Sequence, residues 1–289
     1  MIRPHARPAR SAVAHHYDEL DGFYRELWGE DLHHGLWLRE DEKPAEATEN
    51  LTRTVADRAR ITPGDCVCDV GCGYGGPSRW LADHRGARVV GITISEAQRR
   101  HMAGRNAGVG SPRYVLGDWA ENPFASGRFD AVVAIECISH MSDPRSFFAE
   151  CRRVLRPGGR LVVAAWLATE DPSPWQIRHL LRPICDEGRL HGLGCRTEYC
   201  RSMEAAGLHA EAFEDLSTRV RRTWTLCARN ALIRLLRDPR ARRYIQDPRR
   251  SERGFARALV RIRLAYQVGA LGYGLFTAIR PGPVHPRRE

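Results

Sequence analysis

Cys66-Val67-Cys68-Asp69-Val70-Gly71-Cys72-Gly73-Tyr74-Gly75-Gly76 is the stretch that decides the fold. An apolar strand ends at Val70 and drops at once into a run of alternating glycines. A helical stretch then starts near Pro77-Ser78-Arg79-Trp80-Leu81. Glycines in such a turn let the backbone bend sharply and let a ligand lie against bare main chain, with the N-terminus of the next helix aimed at it. The dinucleotide fingerprint spaces its glycines G-x-G-x-x-G and sets a pyrophosphate at the helix end. Here the spacing is G-x-G-x-G, and Asp69 stands two residues before the first glycine. A carboxylate at that point suits a ligand carrying an ammonium group.

Three more segments follow in order. Arg88-Val-Val-Gly-Ile-Thr93-Ile-Ser95 reads as a second buried strand, with Ser95 as the N-cap of a helix. Nucleotide folds usually end this strand in an acid that binds the ribose. This chain has Thr93 there, which leaves ribose recognition to Gln98. Tyr114 to Trp119 is a third strand ending in Asp118, which can accept from an exocyclic amine, and Trp119, which can cover a purine face. Phe129 to Glu136 is a fourth, and Leu155-Arg-Pro-Gly-Gly-Arg160 turns into a fifth, Leu161 to Trp166. Strands alternating with helices over such a length predict an α/β, Rossmann-like, doubly wound sheet.

Together these segments resemble the class I S-adenosylmethionine (SAM) methyltransferases. Gly91-Ile-Thr-Ile-Ser-x-x-Gln98 is similar to a segment of tocopherol-type and cyclopropane-synthase-type enzymes, and Tyr17 to Trp37 looks like the entry segment of the γ-tocopherol methyltransferase group. The resemblance spans about Tyr17 to Pro281. It implies a seven-stranded sheet, N-terminal helices and a helical lid inserted before the last strand. It also implies SAM as cofactor, with Asp69, Gly71, Gly73 and Gly75 at its amino acid end. Thr93 and Gln98 would serve the ribose, Asp118 and Trp119 the adenine, and Tyr24 and His34 would face the acceptor. The implied activity is methyl transfer to a small, largely apolar acceptor such as a phenol or amine of secondary metabolism. Oxygen, nitrogen and carbon acceptors stay open, as does the oligomeric state, a homodimer included.

Relatives in this group carry Glu-x-x-Glu-His after the fourth strand, where this chain reads Glu136-Cys-Ile-Ser-His140. Ser139 replaces the second Glu, while Glu136 and His140 remain candidates for acid–base work at the carboxyl edge of the sheet. A narrower reading is C-methylation of a prenyl diphosphate. It takes Glu170 as a base with a burial-raised pKa, has Arg178, Arg182, Arg221 and Arg222 neutralise the diphosphate, and calls on Mg²⁺ only in that case. A third reading is a non-enzymatic protein on the same fold.

Composition narrows the classes. The chain has 289 residues and a net charge of +10, which raises the question of nucleic acid. Of the 45 basic residues only Lys43 is lysine, a skew typical of codon bias, and the aromatic clamp that holds a flipped base is missing after the fourth strand. No nucleic-acid partner is expected. No apolar run approaches the ~18 residues of a membrane span. The nine cysteines form no framework and Cys66-x-Cys68-x-x-x-Cys72 lies along a strand, so no metal site is expected and the cytosol is the expected compartment.

Along the chain, residues 1–10 are expected to lack fixed structure and 11–58 to form a helical cover. Residues 59–168 form the cofactor-binding core, 169–281 the substrate-side segments, lid and last strands, and 282–289 a tail. A helix is expected over Thr197 to Gly207 with Thr197 as N-cap, and strands over Leu208 to Leu216 and Gly272 to Ile279.

Overall fold

The computed structural model describes residues 1–19, 31–104, 110–237 and 253–282. Its centre is one seven-stranded sheet: β1 (Cys66–Val70), β2 (Arg88–Thr93), β3 (Arg113–Leu116), β4 (Phe129–Ile135), β5 (Leu155–Ala168), β6 (His209–Asp215) and β7 (Leu271–Ile279). The order is β3-β2-β1-β4-β5-β7-β6. The pairings β1·β2, β1·β4, β2·β3 and β4·β5 are parallel, whereas β7 runs antiparallel to both β5 and β6. The order of the strands reverses between β1 and β4, and ligands of open α/β sheets dock in the crevice beyond the carboxyl ends at such a point.

The strands in the middle of the sheet are covered on both faces, which is why they read as continuous apolar runs and not as alternating ones. Val132, Val133 and Ala134 of β4 and Leu161 to Ala165 of β5 are all buried. The flanking helices are α1 (Arg10–Glu19), α2 (Pro44–Ala59), α3 (Gly76–Arg85), α4 (Glu96–Ala103) and α5 (Pro144–Val154) before β5. After β5 come α6 (Pro174–Gln176), a π-helical turn Ile177–Leu181, α7 (Arg182–Glu187) and α8 (Arg196–Ala205). Between β6 and β7 lie α9 (Ser217–Val220), α10 (Arg222–Arg237) and α11 (Arg253–Gln267), the insertion that the resemblance implied as a lid.

The first residues depart from expectation. Ile2 exchanges two backbone hydrogen bonds with Leu193 (2.8 and 2.9 Å), packs on the core, and Met1 brings its ammonium to Glu198. An apolar side chain next to a free backbone edge suffices to order this arm, although residues 1–10 show no helical or strand periodicity. Within the expected helical cover, residues 31–43 are not helical. His34, Gly35 and Leu36 direct their N–H groups to Glu136, Thr223 and Ala47, which a helix would not allow. The N-cap of α8 is Cys195, two residues before the expected Thr197. Glu198 accepts from the Cys195 N–H (3.0 Å), and the Thr197 N–H is taken by Glu170 (3.0 Å). Tyr24 and nearly all of the expected tail lie outside the described residues.

Candidate active site

The turn after β1 is shaped by positions no side chain would tolerate. Gly71 has φ +69°, and a Cβ there would stand 2.5 Å from the Cys137 Cβ. Gly73 has φ +53° but faces open space, so its bare backbone borders the cleft. Asp69, 2% exposed, accepts a 2.6 Å hydrogen bond from the Ser78 hydroxyl on α3. Burial raises its carboxyl to about 6, against the pull of Ser78 and His33. Among the described residues no Lys or Arg side chain forms an ion pair with this acid, so it is suited to a cationic ligand group.

The cleft beside this turn brings together Gly71, Gly73, Thr93, Gln98, Asp118 and Trp119, along with Glu136 and His140. Thr93 donates to the Gln98 side-chain oxygen (2.7 Å), and Ser95 caps α4 by accepting from the Gln98 N–H (3.1 Å), as expected of it. That leaves the Gln98 amide –NH₂ without a role in this bond. Asp118 caps the short 3₁₀ turn Trp119–Glu121 by accepting from the Ala120 N–H (2.9 Å). Trp119 is 2% exposed and donates its indole N–H to the Phe147 carbonyl (3.2 Å). Its ring is fixed in the wall of the cleft and does not hang over it as a flap. Val13 of α1 and His191 also line the cleft, and burial lowers the His191 pKa. Sequence pattern could not bring these two to the cleft, because both lie far in the chain from the strand ends that form it.

Glu136 follows β4 with φ +58°, a left-handed conformation that is costly for a residue with a side chain and recurs at functional sites. Its Oε1 accepts from the His34 backbone N–H (2.7 Å), the His34 ring Nδ1 (2.9 Å) and the Tyr273 hydroxyl (2.8 Å). Its Oε2 accepts from the Trp166 indole (2.9 Å). An ionised carboxyl offers about four lone-pair sites, so these donors saturate it. Burial pushes the Glu136 pKa up, but His34 and the other donors more than offset this and hold it well below the usual range. A carboxyl saturated with donors and held this acidic is poorly suited to take a proton from an acceptor.

His34, 1% exposed, is the hub of this cluster. Its Nε2 receives the Trp224 indole N–H at 2.6 Å and lies 3.3 Å from the Tyr266 hydroxyl. An indole nitrogen only donates, so Nε2 is unprotonated and the proton sits on Nδ1, pointing at Glu136. Trp166, Trp224, Tyr266 and Tyr273 surround the ring with centroids 4.9 to 6.0 Å away. None of the four was singled out in the sequence. Each reads there as an ordinary core aromatic, and only the fold brings β5, α10, α11 and β7 to one point.

Glu170 does not reach the cleft. It is exposed, accepts from the Thr197 N–H, and has a pKa lowered by hydrogen bonds, first at Cys195 and then at Thr197, which outweigh the opposing effect of burial. This is the opposite of the burial-raised base expected of it. Arg182 begins α7 and is absent from the cleft lining, and the Arg222 guanidinium donates to the Glu40 carbonyl (2.6 Å). None of the four expected diphosphate anchors lines the cleft. Among the described residues no group of three or more His, Cys, Asp or Glu is placed to hold a metal ion, and no helix is long and apolar enough to cross a membrane.

Residues 68–163 match the family model described as a methyltransferase domain. The chain is 32% identical over 279 residues to the 27-O-demethylrifamycin SV methyltransferase of Amycolatopsis mediterranei, covering 95% of this chain and 99% of that one. The chain belongs to the SAM-dependent methyltransferases. Within this family it is also 30% identical to the chloroplastic tocopherol O-methyltransferase of Arabidopsis thaliana, over 77% of this chain and 70% of the relative. Among solved structures, the [4+2]-cyclase SpnF superposes with a TM-score of 0.81 at 26% identity, over 98% of this chain and 100% of that one. The methyltransferase fold, the SAM cofactor and the resemblance to the tocopherol group thus agree with the reading of the motifs.

The residues present fit SAM. Asp69 is a buried acid without an Arg or Lys ion pair among the described residues, the Gly73 backbone is bare, and Gln98 at the start of α4 and Asp118 after β3 offer polar groups. When bound, SAM supplies an activated methyl group on a sulfonium.

Proposed function

We propose that this methyltransferase transfers the methyl group to a hydroxyl of a small, largely apolar, natural-product-type acceptor. The observation that carries this reading is the near full-length similarity to a relative named for O-methylation of a demethylrifamycin. The aromatic side chains packed around His34, behind the Glu136 side of the cleft, support it, because they surround this edge of the site with apolar surface. Asp69 and the Gly71 to Gly75 backbone would hold the amino acid end of SAM, Thr93 and Gln98 the ribose, and Asp118 and Trp119 the adenine. Methyl transfer is an in-line displacement, so the protein mainly aligns oxygen, carbon and sulfur and keeps water away. The hydroxyl proton needs a taker, and two histidines, His34 and His140, stand at the carboxyl edge of the sheet. C-methylation of a prenyl diphosphate, with Mg²⁺, has no support in the placement of Glu170 and the arginines.

The test is incubation with methyl-labelled SAM and a panel of apolar alcohols, phenols, amines and prenyl diphosphates. Label on acceptor oxygen is expected. Label only on nitrogen or carbon would overturn the O-methylation reading.

A further inference from the structure

The Glu136–His34 pair has the form of a general base held ready. A carboxylate on Nδ1–H fixes one tautomer and leaves Nε2 with a lone pair, the arrangement that lets an imidazole take a proton from a nucleophile. Glu136 binds His34 twice, through the backbone N–H at 2.7 Å and the ring at 2.9 Å, so the ring cannot turn. The same Glu136 lines the cofactor cleft, which places the ring one side chain behind its wall. What meets Nε2 is a donor, the Trp224 indole N–H, from the first turn of the lid helix α10. A hydroxyl on an acceptor entering under that helix presents the same chemistry.

We propose that His34, backed by Glu136, is the proton acceptor of the methyl transfer, and that the acceptor's hydroxyl takes the place of the Trp224 N–H on Nε2. This deepens the O-methylation reading and rests on it. The oxygen–carbon bond forms as the carbon–sulfur bond breaks, sulfur keeps the electron pair and leaves as a neutral thioether, and the hydroxyl proton moves to Nε2. The resulting imidazolium sits against the Glu136 carboxylate. The titratable groups facing the ring are Glu136 after β4, Tyr273 on β7 and Tyr266 on α11; His33, its chain neighbour, turns Nδ1 to the His34 carbonyl (2.9 Å). His140 keeps its place on the cleft, in this account as a lining residue.

The experiment measures kcat/KM against pH for a hydroxyl acceptor, with wild type, His34→Gln, His140→Gln and Trp224→Phe, alongside calorimetric SAM binding for each. His34→Gln is expected to lose about 100-fold or more of turnover and the acid limb of the profile, with SAM affinity within a few-fold. Trp224→Phe removes the competing donor and is expected to raise kcat/KM about fivefold, the worth of one hydrogen bond. Turnover of His34→Gln within tenfold of wild type, or loss of the acid limb in His140→Gln instead, overturns the proposal. So does a fall of turnover in Trp224→Phe, which also decides the matter if His34→Gln does not fold. If wild type binds SAM but methylates no hydroxyl, it is the O-methylation reading that fails.

Discussion

A buried acid beside the glycine turn and a saturated acid at the end of β4 illustrate how environment divides two carboxyls. Asp69 has one neutral donor and is pushed up to about 6, while Glu136 has several donors and is held down. The sign for Asp69 follows from proton linkage. Between its ordinary value near 3.8 and about 6, the ligand-free folded chain holds a proton that the unfolded chain has released. The stability that this group contributes is full below the ordinary value and is lost as pH rises through about 6. Binding runs the other way, because the ammonium of SAM stays charged over this range and needs the carboxylate. Calorimetric titrations from pH 5 to 8 should show SAM affinity tightening with pH and levelling above about 7. Asp69→Asn should bind weakly and lose that dependence. An affinity independent of pH in the wild type would remove Asp69 from the ligand. Asp69 was legible as a site residue because strand, acid and glycines lie adjacent in sequence. The role of His34 was legible only in part: its place near the acceptor follows from the entry-segment resemblance, but its bond to Glu136 spans 102 residues and left no local trace.

Elements were read well wherever periodicity and punctuation lie within one segment. β1, β2 and β4 fall where their apolar runs predict, and Ser95 caps its helix. The start of α8 was misread because the choice of cap was made by a distant group. Thr197 has the composition of an N-cap, yet its N–H is satisfied by Glu170 from the end of β5, and the capping partners are Cys195 and Glu198. Glu170 thus holds a helix terminus. Glu170→Ala should cost about 1 kcal/mol of stability, the usual worth of a helix-terminal hydrogen bond, and leave methyl transfer unchanged. Thermal melting and a turnover assay check both halves. A large loss of turnover with an unaltered melting temperature would return Glu170 to the active site. The arm at residues 1–9 escaped notice for a related reason. A single apolar residue, Ile2, docks on Leu193, and no window of sequence shows a pairing of that length.

For the whole molecule, the alternation of strands and helices specified the sheet and the edge at which the cleft lies, because a reversal of strand order puts the ligand at one place. The antiparallel entry of β7 between β5 and β6 was not legible, since an apolar strand reads the same in either direction. The number of arginines said little by itself, as many are spent on partners such as Glu214, Glu211 and Glu150. Fold alone does not fix chemistry, and a cyclase shares this architecture closely. The central claim is that the glycine turn and Asp69 form a SAM site. Isothermal titration of the folded chain with SAM and with its demethylated product tests this most directly. One site per chain is predicted for each ligand, abolished by Gly73→Asp, which puts a branched anion where the φ is +53° and the backbone borders open space. A folded wild-type chain that binds neither ligand, or a Gly73→Asp chain that binds both unchanged, would contradict it.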